Sequence, residues 1–198
     1  MKSYFFIVKV SILLLVLTYS KSEDILAHCQ LTSNLNSGVV SGIINFKQNN
    51  EGKVEVKGKV ENLTGTHGFH IHVNTITNYD CATGGAHYNP LDVNHGSQTS
   101  DNTSRHVGDL GNIVLTTDEN QFEIEDSIIQ LSGDYSIVGR SCMIHEDADD
   151  LGLGTGDSLN TGNAGARLAC GTILLGENSS FLTLSYLLLI AMLSLIIF

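Results

Sequence analysis

The stretch GFHIH, residues 68–72, places His70 and His72 one residue apart. On a strand, positions i and i+2 face the same side, so the two imidazoles stand together. Such a pair either shares a metal ion or forms the polar face of a solvated strand. The rest of the chain favours a metal. His87, His95, His106 and Asp109 follow in a stretch rich in Gly and Asn, and His145 closes a later apolar run. Six histidines and a carboxylate exceed what one ion needs, so two sites are implied. Imidazole suits copper and zinc alike, and a carboxylate in a tetrahedral set points to zinc.

The elements that must position these side chains are strands. Helical periodicity is almost absent, and short β-rich runs recur: ILAHCQL (25–31), VVSGIINF (39–46), KVEVKGKV (53–60), GFHIHV (68–73), NIVLTT (112–117), FEIED (122–126), IVGRSCMI (137–144) and LACGTILL (168–175). In KVEVKGKV, charged residues alternate with Val or Gly, as in a strand with one face in water. Such runs predict an all-β domain, an antiparallel sandwich or barrel of eight strands. Residues 74–111 and 145–167 are too long for turns and poor in apolar residues. Loops of that length in a compact domain are usually functional, and each begins beside a histidine.

The ends have their own character. Residues 1–20, MKSYFFIVKVSILLLVLTYS, have the layout of a secretory signal peptide. Residues 177–198 contain the apolar stretch FLTLSYLLLIAMLSLIIF behind a small polar run, which suggests a glycolipid-anchor signal or a retained membrane tail. The domain expected between them is residues 21–176. Formal net charge is −11, so nucleic acid is excluded as a partner for want of a basic face. Glycosylation acceptors occur at Asn62, Asn102 and Asn178. The cysteines are Cys29, Cys81, Cys142 and Cys170; secretion makes at least one disulfide expected, with three connectivities open if all four pair.

Six pieces in order, GFHIH, GAHYNP with NHG beyond it, RHVGDLGN, FEIEDSIIQLSGD, GRSCMIHEDADDLG and TGNAGARLACG, resemble the copper/zinc superoxide dismutase family from about Ala27 to Leu175. The resemblance implies a Greek-key barrel with a metal-binding loop and an electrostatic loop. It implies that His70, His72 and His145 bind copper, that His87 bridges copper to zinc, and that His95, His106 and Asp109 complete the zinc site. It makes Arg167 the residue that positions the substrate anion, Asp149 the carboxylate joining His70 to His95, and Cys81–Cys170 the disulfide. His87 is expected to carry a proton to the departing product.

The expected function is that of an extracellular, surface-attached superoxide dismutase, with superoxide as substrate, membrane contact through the C-terminal anchor or tail, and a homodimer as a possible assembly. A copper-buffering surface protein on the same fold is the alternative, although storage needs neither Arg167 nor Asp149. Cys29 and Cys142 read as small buried core residues, His28 and His67 as lying outside both sites, and Arg140 as a loop brace. The loop HEDADDLGLGTGDSLNTGN carries no lysine where many relatives have one; Asp147 and Asn160 stand in those neighbourhoods. Weak or reversed salt dependence is therefore expected.

Overall fold

The computed structural model describes residues 24–36, 38–117 and 120–176. The leader, the C-terminal apolar segment and the Asn178 acceptor lie outside the described residues. Eight antiparallel strands form the domain: β1 (Ile25–Ser33), β2 (Ser41–Gln48), β3 (Val54–Glu61), β4 (Gly65–His72), β5 (Asp109–Leu115), β6 (Gln121–Asp126), β7 (Ser141–His145) and β8 (Arg167–Leu175). One four-residue helix, α1 (Ser158–Thr161), sits in the second long loop. The strands follow the order β5-β4-β7-β8-β1-β2-β3-β6, and edge strands β5 and β6 approach each other to nearly close the barrel.

The alternation read in the sequence does what it must. In β3, Val54, Val56, Gly58 and Val60 point inward while Lys57 and Lys59 face water. Leu31, Ile44, Phe46, Phe69, Ile71, Ile113, Ile144 and Ile173 fill the same interior. The β2–β3 connection is a tight turn in which Asn49 Oδ1 accepts from the amides of Glu51 and Lys53 and Gly52 takes a positive φ.

Strands β4 and β7 are different, and the difference locates the site. From His67 to His72 every residue of β4 is buried, and so is all of β7. Phe69 and Ile71 pack into the barrel, so His70 and His72 lie on its outer surface, covered by the two long loops. Gly68 permits that cover, because a Cβ there would press on Ala164 and the His70 ring. The run IVGRSCMI is shorter as a strand than its composition suggests. Regular pairing begins at Ser141: Gly139 turns the backbone at φ 82°, and Gly139 and Arg140 both bond to Ile173 of β8 without continuing the register. Arg140 braces that turn, donating to Ser136 O and Val73 O and stacking on Tyr88.

All four cysteines are paired. Cys81–Cys170 is present as the resemblance implied, but Cys29 and Cys142 also form a disulfide and are not free core thiols. The physical reason is topological. β1 and β7 flank β8 on opposite sides, so the two inward-facing residues meet inside the barrel although 113 positions apart in sequence.

Candidate metal centre

Four imidazoles, His70 and His72 from β4, His145 from the end of β7 and His87 from the first loop, bring one ligand atom each into a cluster no wider than 4.8 Å. His87 also belongs to a second cluster of that size with His95, His106 and Asp109. All seven residues are buried. The residues singled out in the sequence are thus brought together as two adjoining sets sharing one ring, with His70 and His87 centroids 4.2 Å apart.

Hydrogen bonds decide which nitrogen each ring keeps free. His72 Nδ1 donates to Gly85 O at 2.9 Å and His145 Nδ1 to Gly165 O at 3.3 Å. Their Nε2 atoms then face each other at 3.2 Å as two bare lone pairs. Two acceptors at that distance repel unless a cation lies beside both. His70 Nε2 donates to Asp149 Oδ2, leaving its buried Nδ1 without any partner. The donor set fits a metal ion.

The second set makes the same point through oxygen. Asp109 Oδ2 accepts from the amides of Gly96 and His106. Its Oδ1 meets the Nδ1 atoms of His87, His95 and His106 at 2.9, 3.0 and 3.1 Å. His95 Nδ1 is out of line for a hydrogen bond and has no other partner. Ligands about 2.0–2.1 Å from a tetrahedral zinc ion sit roughly 3.3 Å from one another, close to this spacing.

Electrostatics prepare the first set for coordination. Burial, reinforced by His70, pushes His87 down to about 3, and burial with His70 and His87 takes His145 to about 3. Burial and His87 hold His72 well below the ordinary imidazole range. Neutral rings offer lone pairs with no proton to displace. In the second set the carboxylates prevail. Burial opposes a charge on His95, but Asp109 and Asp149 raise it to about 9. Burial likewise opposes the Asp109 charge, yet hydrogen bonds from His106 and His87 and the nearby His95 ring keep its carboxyl far below the usual range.

Asp149 ties the two sets together. Its Oδ2 accepts from His70 Nε2 at 2.9 Å and its Oδ1 from His95 Nε2 at 2.8 Å. Asn112 on β5 clamps the Asp149 backbone, accepting from its amide and donating to its carbonyl. Gly162, at φ 63°, lies so close that a Cβ would run into Asp149 and His95. Sequence reasoning found Asp149 but not Asn112 or Gly162, which carry no chemistry of their own and matter only through this contact.

A cleft of about 490 Å³ opens onto His72, His87 and His145, with Arg167, Asp157, Asn160 and Asn163 among its walls. Arg167 begins β8 and donates to Cys81 O at 2.7 Å and Gly85 O at 2.6 Å. The Cys81–Cys170 bridge binds the loop offering those carbonyls to the strand that carries the guanidinium. No lysine lines the cleft. Among the described residues the lysines are Lys47, Lys53, Lys57 and Lys59, paired with Asp24, Glu125 of β6, and Glu55 and Glu61 of β3.

The copper/zinc superoxide dismutase family model matches residues 40–173. The chain belongs to that family. It is 50% identical over 139 residues to the copper/zinc superoxide dismutase A of Xenopus laevis, covering 69% of this chain and 91% of the relative. It is 49% identical over 135 residues to the extracellular copper/zinc superoxide dismutase of Caenorhabditis elegans, covering 67% of this chain and 60% of that protein. Among solved structures, the clock protein EA4 matches with a TM-score of 0.69 at 39% identity, over 76% of this chain and 94% of that one. The chain is a copper/zinc superoxide dismutase, and copper and zinc are its cofactors.

One supporting residue of this dismutase escaped the sequence reading. Arg105 is 1% exposed. It pairs with Asp126 of β6 and donates to the carbonyls of Ser100, His106, Val107 and Asp109. The loop that carries His95 and His106 therefore hangs on a buried cation. Only its position before His106 pointed to it, and an arginine there reads equally well as surface. Arg105→Met strands the Asp126 carboxylate and is expected to cost about 3–5 kcal/mol in chemical denaturation, with weaker zinc retention. His67 is also structural: its ring meets the carbonyls of Thr64, His145 and Glu146.

Proposed function

We propose that His70 Nδ1 and the Nε2 atoms of His72, His87 and His145 hold copper, and that the Nδ1 atoms of His87, His95 and His106 with Asp109 Oδ1 hold zinc. The observation that carries this is the facing of bare lone pairs, His72 Nε2 and His145 Nε2 at 3.2 Å, beside the partnerless Nδ1 of His70. Copper bound there supplies a one-electron couple for the disproportionation of superoxide to oxygen and hydrogen peroxide. The chain's own contribution is placement. Strands β4 and β7 hold His70, His72 and His145, and Asp149 and the carbonyls of Gly85 and Gly165 fix the tautomers of those rings. His87 faces both metal positions, and its Nε2 is the atom suited to hold a proton and pass it to the product.

Arg167 orients the anion at the cleft. Two of its donors are spent on loop carbonyls, which leaves a fixed charge and further N–H groups beside the three histidines. Arg167→Ala removes one charge-assisted contact, about 1.5–3 kcal/mol, so kcat/KM for superoxide is expected to fall about tenfold to a hundredfold with copper content unchanged. An unaltered rate at full occupancy would show that Arg167 does not place the anion. Because the cleft carries Asp157 and no lysine, the wild-type rate is expected to change less than roughly twofold between low and physiological salt. A steep fall would contradict the account.

The enzyme acts outside the cell in this reading, exported by residues 1–20 as a domain of residues 21–176. Two relatives named as extracellular dismutases, from Caenorhabditis elegans and Brugia pahangi, support export. The apolar residues 181–198 support attachment to the outer surface, through a glycolipid or the segment itself. Asn62 and Asn102 are surface acceptors for sugar. A homodimer is compatible with the site, which is complete within one chain.

A further inference from the structure

The two long loops also meet in a second cleft, of about 580 Å³, which shares no lining residue with the cleft of Arg167. Buried His95 lies at its floor, with Ser100 and Thr103 on one wall and Leu153 and Leu159 on the other. His95 N donates to Leu159 O at 2.8 Å, a backbone bond that ties the two loops together. Leu153 is 85% exposed and Leu159 50%, two apolar side chains left in water on a loop otherwise rich in Gly, Asp and Asn. The opposite rim carries Asn102-Thr103-Ser104, an acceptor for N-linked sugar. Asp101 holds it in a tight turn: its carbonyl accepts from the Ser104 amide at 3.1 Å, and its Oδ1 accepts from the amide and hydroxyl of Thr103. Asn102 is partly exposed, and among the described residues its side-chain amide has no hydrogen-bond partner, so a sugar there breaks no bond. Its Cα is about 3.8 Å from that of Thr103, which places the sugar at the mouth of the cleft.

We propose that Asn102 carries an N-linked glycan whose first N-acetylglucosamine lies in this cleft and joins the loop of His95 and His106 to the loop of Asp149. The inference rests on the export proposed above, since the secretory route is where such sugar is added. A pyranose ring suits the two walls: its C–H face covers Leu153 and Leu159, and its polar rim meets the hydroxyls of Ser100 and Thr103. The sugar thereby removes apolar surface from water that the protein alone leaves exposed. It also opposes a specific local opening. Parting of the two walls breaks the His95–Leu159 bond and uncovers a ring of the second histidine cluster, and a bridge between the walls makes that opening rarer.

The test expresses the full chain in eukaryotic cells, maps its sugars by peptide mass spectrometry and follows hydrogen exchange of the metal-loaded enzyme over residues 94–104 and 151–162. Asn102→Gln is expected to speed exchange in both segments about threefold to tenfold. Complete enzymatic removal of the sugar is expected to do the same without a substitution, whereas trimming it to the first N-acetylglucosamine leaves exchange unchanged. Asn62→Gln serves as the control, because Asn62 precedes the Gly65–Leu115 pair at the end of the β4–β5 ladder away from Asp109; both segments are expected to exchange as before. Leu153→Ser is expected to erase roughly half or more of the difference between chains with and without the Asn102 sugar. Sugar on Asn102 whose complete removal leaves both segments unchanged overturns the bridge, as does a difference that persists in full in Leu153→Ser. Export without sugar on Asn102 overturns the inference and leaves export standing. A chain retained in the cytosol overturns export, and the inference falls with it.

Discussion

Replacing Cys29 and Cys142 together by alanine is expected to lower the unfolding free energy of the oxidised, metal-free domain by about 4–5 kcal/mol, a drop of roughly 10–20 °C in Tm. The pair closes a loop of 113 residues, and cross-linking a loop that long removes much of the unfolded chain's freedom. It also joins β1 to β7 across β8, in the interior where Ile44, Ile144 and Ile173 pack. Thermal unfolding of the double variant with Cys81–Cys170 intact measures the effect. A change below about 1 kcal/mol would show that the hydrogen bonds of both strands to β8 already fix them. The metal sites are expected to survive the change, since neither cysteine touches a ligand.

Asp149→Ala is expected to weaken both metal sites at once, by about tenfold to a hundredfold each. The carboxylate is the shared acceptor for His70 Nε2 and His95 Nε2. Both rings and the Asp149 side chain are fully shielded from water, so no solvent replaces the lost acceptor. Each ring is then free to turn or to move its proton onto Nδ1, the nitrogen its metal needs. Competition with chelators of graded affinity, read separately for copper and zinc, tests this. A loss confined to one metal would contradict the coupling that the geometry shows.

The sequence discloses the two histidine clusters because their chemistry is local. Two histidines at i and i+2 require only a strand to stand together, and β4 supplies it. The valine alternation of KVEVKGKV likewise needs nothing beyond its own segment, and β3 follows it within one residue. What stayed hidden depends on which distant elements touch. Cys29 and Cys142 look like core residues until the strand order places β1 and β7 on either side of β8. Asn112 and Gly162 acquire meaning only because the second loop lays Asp149 against them. Arg105 belongs in the same group, since its partner Asp126 lies 21 positions away on another strand. Burial of the outer face of β4 was equally illegible, as it requires the long loops to fold back over the sheet.

The central claim is that the two histidine clusters, with Arg167 at the cleft, make this chain turn over superoxide. The most direct test follows superoxide decay by stopped flow with the oxidised domain, residues 21–176, loaded with one copper and one zinc, in the presence of excess chelator. The account predicts rapid catalytic decay, first order in superoxide and proportional to bound copper, that the chelator does not abolish. Full copper occupancy without acceleration of the decay would contradict it.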